Sequence, residues 1–157
     1  MSWRPTAEPS ALEARATLVD GLRQFFKHRD SLEVEVPTIA RAPASDPWID
    51  SFSVHDPAGA SVGFLLSSPE SYLKRLLADQ PRALHAFTKA YRANESGSQH
   101  ATEFSMLEWY RPGDADPFAA MVDELTELVA TQSRFAAPTV VSYRSLFEAE
   151  LGINPQA

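Results

Sequence analysis

Residues 101–111 read A-T-E-F-S-M-L-E-W-Y-R, and the periodicity of this stretch decides how the rest of the chain is read. As a β-strand, its period of two places Phe104, Met106, Glu108 and Tyr110 on one face and Glu103, Ser105, Leu107 and Trp109 on the other. Each face sets a carboxylate among large apolar groups, which is costly unless a cation or hydrogen-bond donors meet it. Two readings stand side by side. Glu108 reaches water at a strand edge, or the face is the floor of a ligand site: an aromatic for a flat ring, an acid for an amine and a phenol to orient it.

Upstream, His85 to Tyr91 alternates as a second strand, and the loop Ala93 to His100 joins the two. The pair runs antiparallel, bringing Arg92 and Glu103 to the same end. Ser68-Pro69-Glu70 starts a helix with serine as cap, proline at the first helical position and an acid favoured by the helix dipole. That helix turns Tyr72, Leu73, Leu76 and Leu77 inward and Lys74 and Arg75 outward. Phe52–Val54 and Val62–Leu66 flank His55-Asp56-Pro57-Ala58-Gly59, a hairpin by its turn residues. The segment Thr38 to Ile49, with Pro43 and Pro47, reads as loop.

Leu32, Val34 and Val36 alternate with Glu33 and Glu35 before Pro37, a short strand suited to an edge or an interface. Ser10-Ala11-Leu12-Glu13 is a capping-box pattern, predicting a helix to about Arg29 whose stripe is Leu18, Leu22, Phe25 and Phe26. At the other end Asp116-Pro117 opens a helix with the stripe Phe118, Met121, Leu125, Leu128 and Val129. A last helix runs from about Tyr143 until Gly152 stops it. No repeat, coiled coil or low-complexity segment is present.

The 157 residues suit one domain able to bury roughly 70% of its unfolded surface. Cysteine is absent, which fits a reducing compartment. No run approaches the roughly 20 apolar residues that span a bilayer, and the first residues lack a signal-peptide core. The expectation is a soluble, cytoplasmic protein with no membrane partner. With 21 acidic against 14 basic residues the net charge is -7, so general attraction to nucleic-acid phosphates is not expected.

Glycine-rich phosphate loops with lysine, dinucleotide fingerprints, H-E-x-x-H and G-x-S-x-G are all missing from the sequence. The four histidines share no metal-ligand spacing and read as surface or loop residues. What remains is Arg92, Glu95 and His100 around the hairpin loop, with Glu70 on the preceding helix. Arginine suits phosphate because its planar fork donates two parallel hydrogen bonds to one oxyanion group, and Glu70 and Glu108 suit an amine. The plain alternative is that Arg92 and Glu103 form a cross-strand ion pair worth under about 1 kcal/mol.

Two stretches resemble a known family. S-S-P-E-S-Y-L-K-R-L-L at Ser67–Leu77 and A-Y-R-A-N-E-S-G-S-Q-H-A-T-E-F-S-M-L-E-W-Y-R-P at Ala90–Pro112 are similar to the catalytic domain of class II lysyl-tRNA synthetases. The similarity is greatest to the branch that lacks the anticodon-binding domain and passes β-lysine to elongation factor P. L-E-V-E-V-P-T at Leu32–Thr38 resembles motif 1, whose proline lies at the dimer interface, and the arginine-loop-phenylalanine hairpin resembles motif 2.

The resemblance implies an α+β fold, a class II antiparallel sheet flanked by helices, with 1–157 forming the N-terminal portion of a catalytic domain and ending before motif 3. It implies an ATP-dependent ligase that forms an aminoacyl-adenylate from lysine or β-lysine, with elongation factor P as acceptor, a homodimeric state, and tRNA an unlikely partner. Magnesium ligands are expected in the part beyond this chain. Carried over by motif, Arg92 is the catalytic residue, holding the α-phosphate and substrate carboxylate. Phe104 stacks on adenine, while Glu95 and His100 lie toward the nucleotide. Glu108 and Tyr110 receive the substrate amine, with Ser68 and Glu70 lining the same pocket.

Departures from the family pattern are Ala93 and Asn94 where R-N-E is usual, Ser98 and Gln99 before the loop histidine, and Ala101-Thr102 before E-F. They leave two other assignments in view: a lysyl-tRNA synthetase catalytic fragment, and a non-catalytic dimerisation or binding module.

Overall fold

The computed structural model describes residues 3–95, 97–113, 115–132 and 139–156. In chain order the elements are α1 (Pro9–Lys27), β1 (Leu32–Glu33), β2 (Ile39–Ala40), β3 (Ser53–His55), β4 (Ser61–Leu65), α2 (Glu70–Asp79), β5 (Leu84–Tyr91), β6 (Glu103–Tyr110), α3 (Pro117–Gln132) and α4 (Tyr143–Leu151). They fall into two compact units, Met1–Pro117 and Phe118–Ala157.

The first unit is built on the hairpin read from residues 85–110. β5 and β6 pair antiparallel over eight residues each, with Ala90 opposite Phe104, Ala86 opposite Glu108 and Leu84 opposite Tyr110. β1 joins the other edge of β5 in parallel, Glu33 beside His85, so the alternating segment before Pro37 does take an edge position. Only Leu32 and Glu33 form its regular strand, although Val34 continues the ladder by donating to the His85 carbonyl at 2.9 Å.

A second sheet has the order β2-β4-β3, all antiparallel. Its β3–β4 hairpin is the one expected from the sequence. The Asp56 side chain accepts the amides of Ala58 and Ala60, and Gly59 takes φ +87°, a conformation open to glycine. The strand β2 lies inside the segment read as loop, which is a correction. Two residues between prolines carry no period, and their strand state comes from pairing with Leu65 and Phe64 far along the chain. Gly63 makes that approach possible, since a Cβ there would lie 2.4 Å from the Ala40 carbonyl oxygen.

Helices cover both faces of the β1-β5-β6 sheet. On one face the Phe26 ring stacks on His85 at 4.5 Å and lies 5.6 Å from Trp109, while Arg15 of α1 donates to Ser105 Oγ at 2.8 Å. On the other, Leu73 of α2 is fully buried against Leu84 and Ala86, with Val34, Val36, Leu77 and Tyr110 packed around them.

Several expectations need adjusting here. The capping box does not form. Proline at the first helical position fixes φ and needs no hydrogen-bonded N–H, so α1 starts at Pro9 and Ser10 is already helical, with Glu8 as an N-cap that makes no side-chain bond. The helix ends at Lys27; Phe25 and Phe26 of its stripe are buried and Leu22 is half-buried, while Leu18 is exposed. Leu76 is likewise exposed rather than inward. His85 is not a surface or loop histidine. It is 2% exposed, with Nδ1 3.0 Å from Ser31 Oγ and Nε2 3.9 Å from Glu33 Oε2.

In the second unit, α4 is capped as its sequence suggests. Ser142 Oγ accepts the Ser145 amide at 3.0 Å, and Gly152 ends the helix at φ +67°. Along α3, Leu128 is buried while Phe118, Met121, Leu125 and Val129 remain exposed. Among the described residues no helix is long and apolar enough to cross a membrane.

Candidate active site

Strand alternation puts the odd residues of β5 and β6 under α1 and the even ones on the face toward α2, so Phe104, Glu108 and Tyr110 share the second face. The hydroxyl of Ser68 donates to Glu108 Oε2 at 3.0 Å, and that of Tyr110 donates to Oε1 at 2.7 Å. The same Ser68 Oγ accepts the Glu70 amide at 3.1 Å. The expectation that this serine caps the helix needs correcting, because α2 begins at Glu70 with Pro69 as its N-cap and no side-chain cap bond. Ser68 stands one place before the cap, still held at the start of the helix. Burial, then the adjacent Glu108, holds the Tyr110 phenol well above its ordinary value of 10.0, and it stays a donor across the physiological range.

Each carboxylate oxygen of Glu108 thus has one protein donor and lone pairs left for a ligand donor. Glu70 is paired with Lys74 one turn along the exposed side of α2.

At the far end of the hairpin the Arg92 guanidinium lies over the Phe104 ring, 5.2 Å from its centroid. Arg92 also faces Glu95 at 3.8 Å, and its Nε is buried without a hydrogen-bond partner among the described residues. The anticipated Arg92–Glu103 pair is not formed, because Glu103 is taken by Lys89 at 3.0 Å. A cleft of about 1160 Å³ lies beside this face, lined by Ser68, Glu70, Lys74 and Arg75 from the α2 region, Arg92 from the hairpin and residues 39–46 from the segment beyond β1.

The structure therefore gathers Ser68, Glu108 and Tyr110 into one hydrogen-bonded cluster and Arg92, Phe104 and Glu95 into another, while Ser68, Glu70 and Arg92 border the same cleft. His100 stands apart, exposed in a tight turn with Gly97. Sequence reasoning missed the wall contributed by Arg41 and its neighbours, as well as Asp50, which meets the loop base through contacts more than forty residues apart in sequence. Among the described residues no group of three His, Cys, Asp or Glu side chains converges as a metal site.

A sheet built on an antiparallel hairpin, with helices on both faces and an arginine at the loop end of that hairpin, matches the architecture of class II aminoacyl-tRNA synthetase catalytic domains. The solved structures it resembles agree. A putative aspartyl-tRNA synthetase from Leishmania major Friedlin has TM-score 0.65 at 21% identity over 76% of this chain and 22% of that one. The asparaginyl-tRNA synthetase of Entamoeba histolytica, solved with asparaginyl-adenylate, has TM-score 0.63 at 22% identity over 77% of this chain and 25% of that one.

More particularly, the chain belongs to the family of class II tRNA synthetases (D, K and N), whose model matches residues 1–135. Relatives include the elongation factor P--(R)-beta-lysine ligases of Pseudoalteromonas translucida, 39% identical, and Vibrio cholerae, 37% identical. Each alignment covers 98% of this chain and 48% of the relative, so the chain spans about half their length.

Proposed function

We propose that this chain is the motif 1 and motif 2 portion of an ATP-dependent ligase that activates lysine or β-lysine as an adenylate and transfers it to elongation factor P. The observation that carries this reading is the Glu108 carboxylate, held by two hydroxyls on the same sheet face as the Arg92–Phe104 pair. A half-buried acid with spare lone pairs recognises an ammonium group. An aromatic four residues away under a guanidinium accepts a flat base against its face, a contact worth about 1 to 3 kcal/mol.

In this reading Arg92 grips the α-phosphate and the amino-acid carboxylate, aligning the carboxylate oxygen with phosphorus. Adenylation needs no protein nucleophile, so orientation and charge stabilisation supply the catalysis. Glu95 steers Arg92, and His100, exposed on the hairpin loop outside the cleft, is left to meet the outer phosphates from the solvent side. Ser68 and Tyr110 fix Glu108 while Glu70 borders the amine pocket. Magnesium travels with ATP. The edge strand β1 and Pro37 belong to a homodimer contact, and the compartment is the cytoplasm.

The experiment is amino-acid-dependent pyrophosphate exchange in a form of the enzyme carrying this portion. Glu108→Gln is expected to abolish the dependence on lysine or β-lysine, and unchanged exchange would overturn the assignment. A second reading, a non-catalytic binding or dimerisation module, is favoured by Ala93 and Asn94 in place of the usual motif 2 residues. Calorimetry on the 157-residue chain separates the two: submillimolar ATP binding contradicts the module.

A further inference from the structure

The end of β5 is shared between the two sheets. The Tyr91 amide donates to the Leu66 carbonyl at 2.8 Å, at the end of β4, and the Ala93 amide donates to the Asp50 carbonyl at 2.8 Å, just before β3. Between them the Arg92 amide points the other way, to the Thr102 carbonyl at 3.0 Å on the β6 side. Arg92 thus bonds toward β6 while the residues on either side of it bond to chain beside the second sheet.

The next contact fixes that arrangement. Asn94 sits at φ +62°, a left-handed conformation that asparagine tolerates better than most residues, and its Nδ2 donates to Asp50 Oδ2 at 2.8 Å. Asp50 therefore holds the loop base twice, by its carbonyl to Ala93 and by its carboxylate to Asn94, and forms an isolated antiparallel bridge with Ala93. A bond to a charged acceptor is among the stronger ones available to a side chain.

We propose that Asp50 and Asn94 are positioning residues for Arg92: their side-chain bond locks the backbone on the loop side of the arginine, and so sets where its guanidinium meets a phosphate over Phe104. This rests on the reading of Arg92 as the nucleotide-binding arginine. The latch acts through Arg92 and touches no ligand. It also gives the unusual asparagine after the motif 2 arginine a role, since its side chain bonds Asp50 and is not among those lining the cleft.

The test uses the 157-residue chain with ATP as probe and hydrogen exchange as a second readout. Asn94→Gly keeps a residue at ease at positive φ and deletes only the amide-to-carboxylate bond, and Asp50→Asn keeps the accepting oxygen. ATP affinity is expected to fall about tenfold in Asn94→Gly, the scale of one hydrogen bond to a charged group, and by less, about threefold, in Asp50→Asn, which keeps an acceptor but loses its charge. In an Arg92→Ala background, Asn94→Gly is expected to cost nothing further, the non-additivity that marks action through a shared partner.

In the ligand-free chain, amide exchange at Ala93 should accelerate in Asn94→Gly and stay closer to the parent rate in Asp50→Asn. Full affinity in Asn94→Gly alongside weakened Arg92→Ala overturns the latch and leaves the nucleotide site standing. Unchanged affinity in Arg92→Ala, or no ATP binding by the parent chain, overturns the site reading and the latch's role with it. Unchanged Ala93 exchange in Asn94→Gly overturns the latch on its own.

Discussion

Tyr110 gives its phenolic proton to Glu108 across 2.7 Å, two residues back along the same strand. The phenol can therefore offer a ligand only its oxygen lone pairs, as an acceptor. Together with the free lone pairs of Glu108 this makes a patch of acceptors. An ammonium group with three donors and a positive charge matches it better than a neutral carboxamide, whose carbonyl finds no donor there, or a carboxylate, which has no proton to give.

Removal of that phenol tests the division of labour. Tyr110→Phe is expected to weaken lysine or β-lysine use by about tenfold, the cost of one hydrogen bond to a charged partner, whereas Glu108→Gln, which removes the charge, costs far more. Pyrophosphate exchange titrated with the amino acid checks the order, and equal losses in the two variants would contradict it.

His85 is expected to make the fold sensitive to mild acid. Burial, the largest cause, lowers its pKa from the ordinary 6.5, outweighing the attraction of Glu33, while the Arg23 charge adds to the lowering. A histidine with a depressed folded value contributes stability that is fully present above the unfolded value and lost as pH falls through the folded one. Urea unfolding between about pH 7.5 and 5 should show stability falling below 6.5, and a His85→Phe variant should flatten that part of the curve.

Gly63 has no room for a side chain. Alanine would bring a Cβ to 2.4 Å from the Ala40 carbonyl oxygen, a backbone atom that can yield only by displacing β2. Gly63→Ala is expected to destabilise the chain by about 1 to 3 kcal/mol, read as a lowered thermal midpoint.

Leu73, fully buried between α2 and the sheet, should cost about 2 to 5 kcal/mol as Leu73→Ala. Because α2 also carries Ser68 to Glu108, the same variant should weaken amino-acid use more than ATP binding, which separate titrations would reveal.

What could be read from the sequence was local or periodic. The β5–β6 hairpin, the two faces of β6 and the Gly152 stop follow from alternation and turn chemistry, and the structure has all three. The partnership of Ser68 with Glu108 spans forty residues, and spacing alone could only place both near one pocket. The burial of His85 depends on Phe26 and Ser31 closing over it from elsewhere in the chain, so a lone histidine in a strand gave no signal. β2 is strand because Gly63 lets a neighbour come close, a condition written in a residue more than twenty positions away. The capping box misled because Pro9 starts the helix before the serine can act.

The amides of Tyr91, Arg92 and Ala93 serve different sheets in alternation, which turns the angle between the sheets into a mechanical setting for one side chain. A small rotation of the β2-β4-β3 layer would swing the guanidinium in an arc while leaving its own strand pairing intact. Substitutions deep in that layer, remote from any ligand, should therefore alter the aim of the arginine along with the stability of the fold.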